Sequence, residues 1–499
     1  MNTFIDVLIL VFYILPSALL MLFGLNLYFS LFLCTIRLKR ARHDLTRITS
    51  HFQTKCRLED LPHVVTQIPV YNELNVVERS MRAAAEMIYP KGRHTVQVLD
   101  DSTDETKALI DRVALELQEK GHDVQVVRRI RREGFKAGAL SYGMKTTTAK
   151  FFAIFDADFV PPRDFLVRTM QILVVKPEIG MVQARWGHLN EQTSILTLAQ
   201  GMGIDTHFAV EQPARAWNNL FMTFNGTAGV WRRAAIEDAG NWQSDTLTED
   251  MDLSYRSQLA GWKPYFLSDL VVEGEIPENI NAFKAQQFRW AKGSIQTAIK
   301  LLPRIYRAPC SLIAKIEATF HMMYYGIYPL MVCIALLTLP VYTVVKLPVA
   351  SLAFTIFSVI LVGTAFAPTV LFVASQIMLK KQGWKKLYFL PVLLALGIGV
   401  AISNSRAVME AIFGIKSEFI RTPKKGAKSK RFYATNFSYG AIVELLAGAY
   451  CFMTFQFFLD SHHYMAIPYL LINGMGFTVV GLLSVWHFFN ELRWARSVE

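Results

Sequence analysis

The residues best suited to chemistry fall in a few short clusters. Asp156-Ala157-Asp158 follows directly on the apolar run Phe151-Phe152-Ala153-Ile154-Phe155. Two carboxylates at i and i+2 of an extended segment share a face and can turn toward one cation. Mg2+ is typically held by one or two carboxylates, with water and substrate phosphate oxygens completing its shell. An ion placed on a diphosphate neutralises a leaving group as a glycosyl–phosphate bond breaks. Asp-x-Asp alone is common by chance; its place after a buried strand gives it weight.

Val98-Leu99-Asp100-Asp101-Ser102-Thr103-Asp104 stands at the end of an earlier strand. Carboxylates there can accept hydrogen bonds from a base or a ribose, and Ser102 or Asp104 before a helix serves equally as an N-cap. Thr248-Glu249-Asp250-Met251-Asp252-Leu253 opens a helix. A carboxylate there is stabilised by the helix N-terminus, or it acts as a general base on an acceptor hydroxyl. Gln286-Gln287-Phe288-Arg289-Trp290 precedes a long apolar block. Trp offers a flat face to a sugar and Arg grips phosphate or carboxylate bidentately, while an interfacial Trp/Arg anchor accounts for the same residues.

These clusters need elements that bring them together. Pro62 to Val70, Thr95 to Leu99, 123–128 and 151–155 read as strands, with helices over about 75–87, 103–119 and 136–147 between them. Strand–helix alternation with short loops predicts a largely parallel sheet covered on both faces. Ligands of such sheets bind beyond the carboxyl ends of the strands, where the first two acidic clusters fall.

The chain has 499 residues, 52% of them hydrophobic, with a net charge of +12. Apolar residues gather at the N-terminus and after Ile316, leaving a globular stretch between Arg37 and Pro303 that is long enough for a sizeable core. The basic residues lie beside the apolar blocks, at 37–42, 380–386 and 424–431. Clusters so placed mark cytoplasmic loops and attract anionic lipid heads, so they point to a bilayer and away from nucleic acid. The cysteines show neither C-x-x-C spacing nor a disulfide framework. Phe4 to Leu33 reads as an uncleaved anchor with the N-terminus outside, and further spans fall at about 322–345, 350–379, 435–459 and 464–489. The segment 387–417 has cytoplasmic-type charge at both ends and is too short to cross twice, so it is expected to lie along the membrane or to re-enter.

Taken in order, the clusters resemble the motifs of the processive family-2 glycosyltransferases, the cellulose-synthase-like enzymes: a first Asp, Asp-x-Asp, Thr-Glu-Asp and Gln-x-x-Arg-Trp. Gln67-Ile68-Pro69-Val70-Tyr71-Asn72-Glu73, Lys136-Ala137-Gly138 and Phe224-Asn225-Gly226-Thr227 add to the match, and Phe419-Ile420-Arg421-Thr422-Pro423-Lys424 is similar to the family's gating loop. Arg421 stands where cellulose synthases usually carry Val, which favours a relative over a cellulose synthase proper, and the chain looks closer to the shorter, bacterial mannan- and glucan-synthase-like members. The resemblance implies an α/β, GT-A-like (Rossmann-like mixed sheet) cytosolic domain between transmembrane and interfacial helices. The organisation it implies is a membrane helix over 1–36, a catalytic domain over 37–303, an interfacial helix over 304–321 and two spans over 322–379. An interfacial or re-entrant helix over 387–417, a gating loop over 418–433 and two spans over 434–490 follow.

By the same resemblance, Asp100, Asp101 and Lys136 would contact the donor nucleotide, with Thr422 and Lys424 closing over it. Asp156 and Asp158 would hold Mg2+ or Mn2+. Asp250 would be the catalytic base, with Glu249 beside it, and Gln286, Arg289 and Trp290, with Phe224, Gly226 and Thr227, would line the acceptor. The expected reaction is polymerisation of a β-glucan or β-mannan by direct displacement, the polymer leaving through the enzyme's own channel. Expected partners are UDP-glucose first and GDP-mannose second, a growing glycan and the bilayer, with room for accessory export subunits. The expected setting is a bacterial inner membrane with the catalytic domain cytoplasmic. A non-processive enzyme making a β-hexosyl glycolipid is the nearest alternative, and a channel or transporter with a regulatory domain is the rival from another class.

Overall fold

The computed structural model describes residues 4–345, 352–379, 386–416, 440–462 and 464–498. The expected gating loop, with Thr422 and Lys424, lies outside the described residues. At the centre is a seven-stranded sheet in the order β3-β2-β1-β4-β6-β5-β7. The strands are β1 Val64–Val70, β2 His94–Asp100, β3 Val124–Val127, β4 Phe151–Ile154, β5 Ile179–His188, β6 Gly229–Arg232 and β7 Lys263–Gly274. β1, β2, β3 and β4 pair in parallel, as their apolar runs predict. β6 runs antiparallel to both β4 and β5, so the sheet is mixed. β1 lies between β2 and β4, the strands that end in the two acidic clusters, and that brings both clusters to one edge.

Helices Val77–Ala85, Thr106–Glu119 and Phe165–Val175 pack on one face of the sheet and Phe135–Lys145 on the other. β4 is buried throughout, which is why it shows no polar alternation. The N-terminal helix does not stop at residue 36. It runs unbroken from Phe4 to Lys55, because Ile48 and Phe52 on its last turns join the sheet's apolar core and Asp44 accepts from Lys176 Nζ at 2.7 Å. The expected domain boundary at 303 likewise falls inside a helix, Ile280–Arg307, which carries the Gln286–Trp290 motif. Leu312–Met322 follows, capped by Ser311. It buries Ala314, Ala318 and Met322 and leaves Leu312, Ile313 and Ile316 exposed.

Among the described residues six helices are long and apolar enough to cross a membrane, including Leu387–Ile412; the chain is an integral membrane protein. Leu387–Ile412 is tied at both ends to residues outside the membrane-spanning helices. It is built of two helices, Leu390–Gly399 and Ala401–Ile412. Lys386 at its start pairs with Glu191 just beyond β5 (2.5 Å), and Glu410 near its end pairs with Lys292 on Ile280–Arg307 (2.8 Å).

Candidate active site

The carboxyl ends of β1, β2 and β4 open into one pocket. Tyr71, Asp101, Asp156 and Asp158 line it from the sheet, Lys136 from the helix that follows β3, Glu249 and Asp250 from the helix Glu249–Leu259, and Gln286, Arg289 and Trp290 from Ile280–Arg307. Asp158 and Asp250, separated by some ninety residues of chain, thus face the same space.

Lys136 ties the pocket together. Its ammonium donates to Asp156 Oδ1 (2.5 Å) and to the Gly226 carbonyl (2.8 Å). Gly226 holds φ at +78°, and a Cβ there would stand 3.0 Å from Asp250 Oδ2 and 3.3 Å from Lys136 Nζ. A side chain would crowd the gap between Asp250 and Lys136, so both the backbone and the neighbours favour glycine here. Thr227 is buried, and its hydroxyl accepts from the Asp156 N–H at 2.9 Å. It fixes the Asp-x-Asp turn from behind and lies outside the pocket lining. Arg79 donates to the Asp158 carbonyl (3.3 Å) and to Glu275 (2.9 Å), pinning the other end of that turn.

The charges oppose one another closely. Burial and the neighbouring Glu249 charge push the Asp250 carboxyl up to about 7; Lys136 and the Met251 N–H hold it down, and Asp156 adds to the rise. Burial disfavours the Lys136 ammonium, but Asp156, Glu249 and Asp250 outweigh burial and raise its pKa. Arg289 is shifted down by burial, against the pull of the same three carboxylates. A base poised near neutrality between two cations is suited to take a proton from a hydroxyl.

Asp156 and Asp158 fit a divalent ion of the shared kind. Among the described residues no three His, Cys, Asp or Glu side chains gather closely enough to hold a metal alone. Two carboxylates on one turn can share an ion with substrate phosphate oxygens.

The first acidic cluster divides. Asp101 reaches the pocket, its oxygens accepting from Arg129 Nε (2.8 Å) and Nη2 (2.6 Å). Asp100 is buried, accepts from the Ser102 N–H (2.9 Å) and Arg128 Nε (2.7 Å), and holds the turn instead. Gly138 leaves room for Arg129, whose guanidinium also donates to the Glu133 and Phe135 carbonyls. Arg132 stacks over the Tyr71 ring, 3.4 Å from its centroid, at the pocket rim. No motif marks Arg129 or Arg132; their trace in the sequence is the cluster of four arginines over 128–132, shortly before Lys136.

A second cavity continues from the first toward the membrane helices. Trp186, Ile204, Asn225, Asp250, Gln286 and Trp290 line both, and Phe283, Tyr325, Tyr328 and Phe372 line only the second. Phe224 borders this second cavity, with its ring packed edge-on against Trp231 in the core. His207, on a π-helical turn, meets Asn225 Nδ2 at 3.1 Å and Glu211 at 3.4 Å in the same wall; no sequence motif marks it.

With the geometry in place, the class is clear. A family model described as "Glycosyltransferase like family 2" matches residues 62–293. "Probable glucomannan 4-beta-mannosyltransferase 15" of Arabidopsis thaliana is 34% identical over 440 residues, covering 84% of this chain and 80% of its own length. The chain belongs to the family-2 glycosyltransferases, in their cellulose-synthase-like branch. "Probable glucomannan 4-beta-mannosyltransferase 7" of Oryza sativa subsp. japonica is 42% identical over 315 residues, which cover 59% of this chain and 54% of that protein. The chain therefore spans about half the length of some of the curated relatives it matches. A solved mannosyltransferase, PcManGT from Pyrobaculum calidifontis in complex with GDP-Man and Mn2+, aligns at 17% identity and a TM-score of 0.44, over 80% of this chain and 100% of that one.

Proposed function

We propose that this protein is an inverting mannosyltransferase that builds a β-linked mannan or glucomannan from GDP-mannose and passes it into the membrane. The carrying observation is that Asp101, Lys136, Asp158 and Asp250 line one pocket that continues past Trp290 into a cavity among the membrane helices. The donor is reversed from the sequence expectation of UDP-glucose first: relatives over most of the chain are named glucomannan mannosyltransferases. The relatives quoted are plant proteins, and they lend no support to a bacterial inner membrane.

In this reading Asp101 meets the nucleotide, and Asp156 and Asp158 would hold Mg2+ or Mn2+ together with the diphosphate. A bound divalent ion supplies neutralisation of the leaving group's charge. The chain's own residues do the rest. Asp250 takes the proton of the acceptor hydroxyl, which attacks the anomeric carbon from the face opposite the diphosphate, so an α-linked donor gives a β-linkage. Lys136 and Arg289 place positive charge where the diphosphate departs. Trp290 and Gln286, at the junction of the cavities, hold the acceptor sugar. Leu387–Ile412, tethered to the catalytic domain at Glu191 and Lys292, lies along the cytosolic membrane face and does not cross, and Leu312–Met322 rests its exposed apolar side in the interface.

The test incubates membranes carrying the protein with radiolabelled sugar nucleotides and digests the product. GDP-mannose is expected to give a polymer cleaved by endo-β-mannanase. A chloroform-soluble product would favour the glycolipid alternative, incorporation from UDP-glucose alone would refute the donor, and no transfer from any donor would refute the activity.

A further inference from the structure

Asp250 stands at the start of its helix, and the segment leading to it is held from another helix, Ile280–Arg307. The Leu247 N–H donates to Gln296 Oε1 at 3.0 Å, and the Thr248 and Thr297 hydroxyls meet at 3.2 Å. A Cβ on Gly293 would stand 2.5 Å from Thr248 Cγ2 and 2.8 Å from Thr248 N, so the glycine is what allows this approach. All three contacts come from Ile280–Arg307, the helix of Gln286 and Trp290. At 3.6 residues per turn, positions 286, 290, 293 and 297 form a single stripe. One face of one helix thus sets both the acceptor residues and the loop of the base.

The opposite flank of that helix is fastened by buried lysines. Lys292, with no exposure, pairs with Glu410 (2.8 Å), which also accepts from Arg406 Nε (2.8 Å). Lys284 pairs with Glu444 on the membrane helix Gly440–Asp460 (2.6 Å). A buried ammonium is costly unless paired, so the position of Glu410 constrains the helix at the residue adjoining Gly293.

We infer that the Lys292–Glu410 ion pair is a positioning device for Asp250: it presses Ile280–Arg307 against Thr248, so that Leu387–Ile412 sets the height of the base relative to the acceptor face. The inference rests on the reading of Asp250 as the base. Glu410 and Gln296 touch neither pocket, so their removal should slow the proton-transfer step and leave donor binding alone.

The experiment measures kcat, donor KM and GDP affinity in Glu410→Gln, Gln296→Ala, the two combined, and Asp250→Asn, all in the full-length purified protein. The expected result is a kcat at least tenfold lower in each single variant, KM and GDP affinity within twofold of wild type, and a combination no slower than the worse single. The charge-reversed pair Lys292→Glu with Glu410→Lys is expected to recover part of the rate lost in Glu410→Gln. Wild-type kcat in Gln296→Ala overturns the inference even where Glu410→Gln fails to fold, and so does a rise in KM that alone accounts for the loss. If Asp250→Asn is inactive while Gln296→Ala turns over normally, the positioning claim fails and the base survives. Turnover by Asp250→Asn removes the base itself, and the positioning claim falls with it.

Discussion

Asp250 carries the largest consequence at the level of single side chains. Its carboxyl is raised to about 7 from an ordinary value of 3.8, by burial and then by Glu249. A carboxyl raised on folding binds protons more tightly in the native state, so it favours folding at low pH and opposes it as pH climbs through the shifted value. At neutral pH a half-buried, partly charged Asp250 therefore destabilises the fold, as a group retained for catalysis would. Asp250→Asn is expected to abolish transfer, leave GDP binding nearly intact and raise the melting temperature in detergent. A melting temperature below wild type would contradict this account of the site's charge. The same shift predicts that kcat/KM falls about tenfold per unit as pH drops below roughly 7. A flat profile between pH 5 and 7 would count against Asp250 as the proton acceptor.

Among the elements, the turn through Gly226 is the most exacting. Its left-handed φ of +78° strains any other residue, and a methyl group would crowd Asp250 at 3.0 Å. Gly226→Ala is expected to cost about 1–2 kcal/mol of stability and at least tenfold in kcat, as read by denaturant melts and initial rates. The elements also differ in how plainly their residues announce them. β1, β2 and β4 are apolar runs closed by acidic turns, and the sequence pattern suffices to place them. β6 is only the four residues Gly229–Arg232, wedged antiparallel between β4 and β5, and no local pattern states that pairing. From sequence, the N-terminal helix is expected to end at the basic cluster near Arg37. It continues to Lys55 because tertiary packing of Ile48 and Phe52 overrides a polar composition. The Arg128–Arg132 run looks like a solvated charge block in sequence, and only the fold shows Arg129 gripping Asp101.

Over the whole molecule the question is how the catalytic domain meets the bilayer. Leu387–Ile412 satisfies the length and composition of a span, yet both of its ends are paired to residues of the catalytic half, Glu191 and Lys292. Cysteines substituted for the exposed Tyr388, near its start, and Ile415, just past its end, are therefore expected to react with a membrane-impermeant maleimide from the side bearing the catalytic domain. Labelling of the two from opposite sides would make it a true span. Most of the motif residues, from Asp101 to Trp290, are ones the fold gathers around one pocket. The junction of the two cavities was not legible, because it arises where Trp290 and Gln286 meet residues such as Trp186 and Ile204 that belong to no motif.

The most direct measurement is a structure of the purified protein with GDP and Mn2+ bound. The account predicts the ion on the Asp158 carboxylate and the diphosphate, with Asp250 across the sugar site on the Trp290 side. An ion and nucleotide bound away from Asp158, or Asp250 turned from the anomeric position, would contradict it.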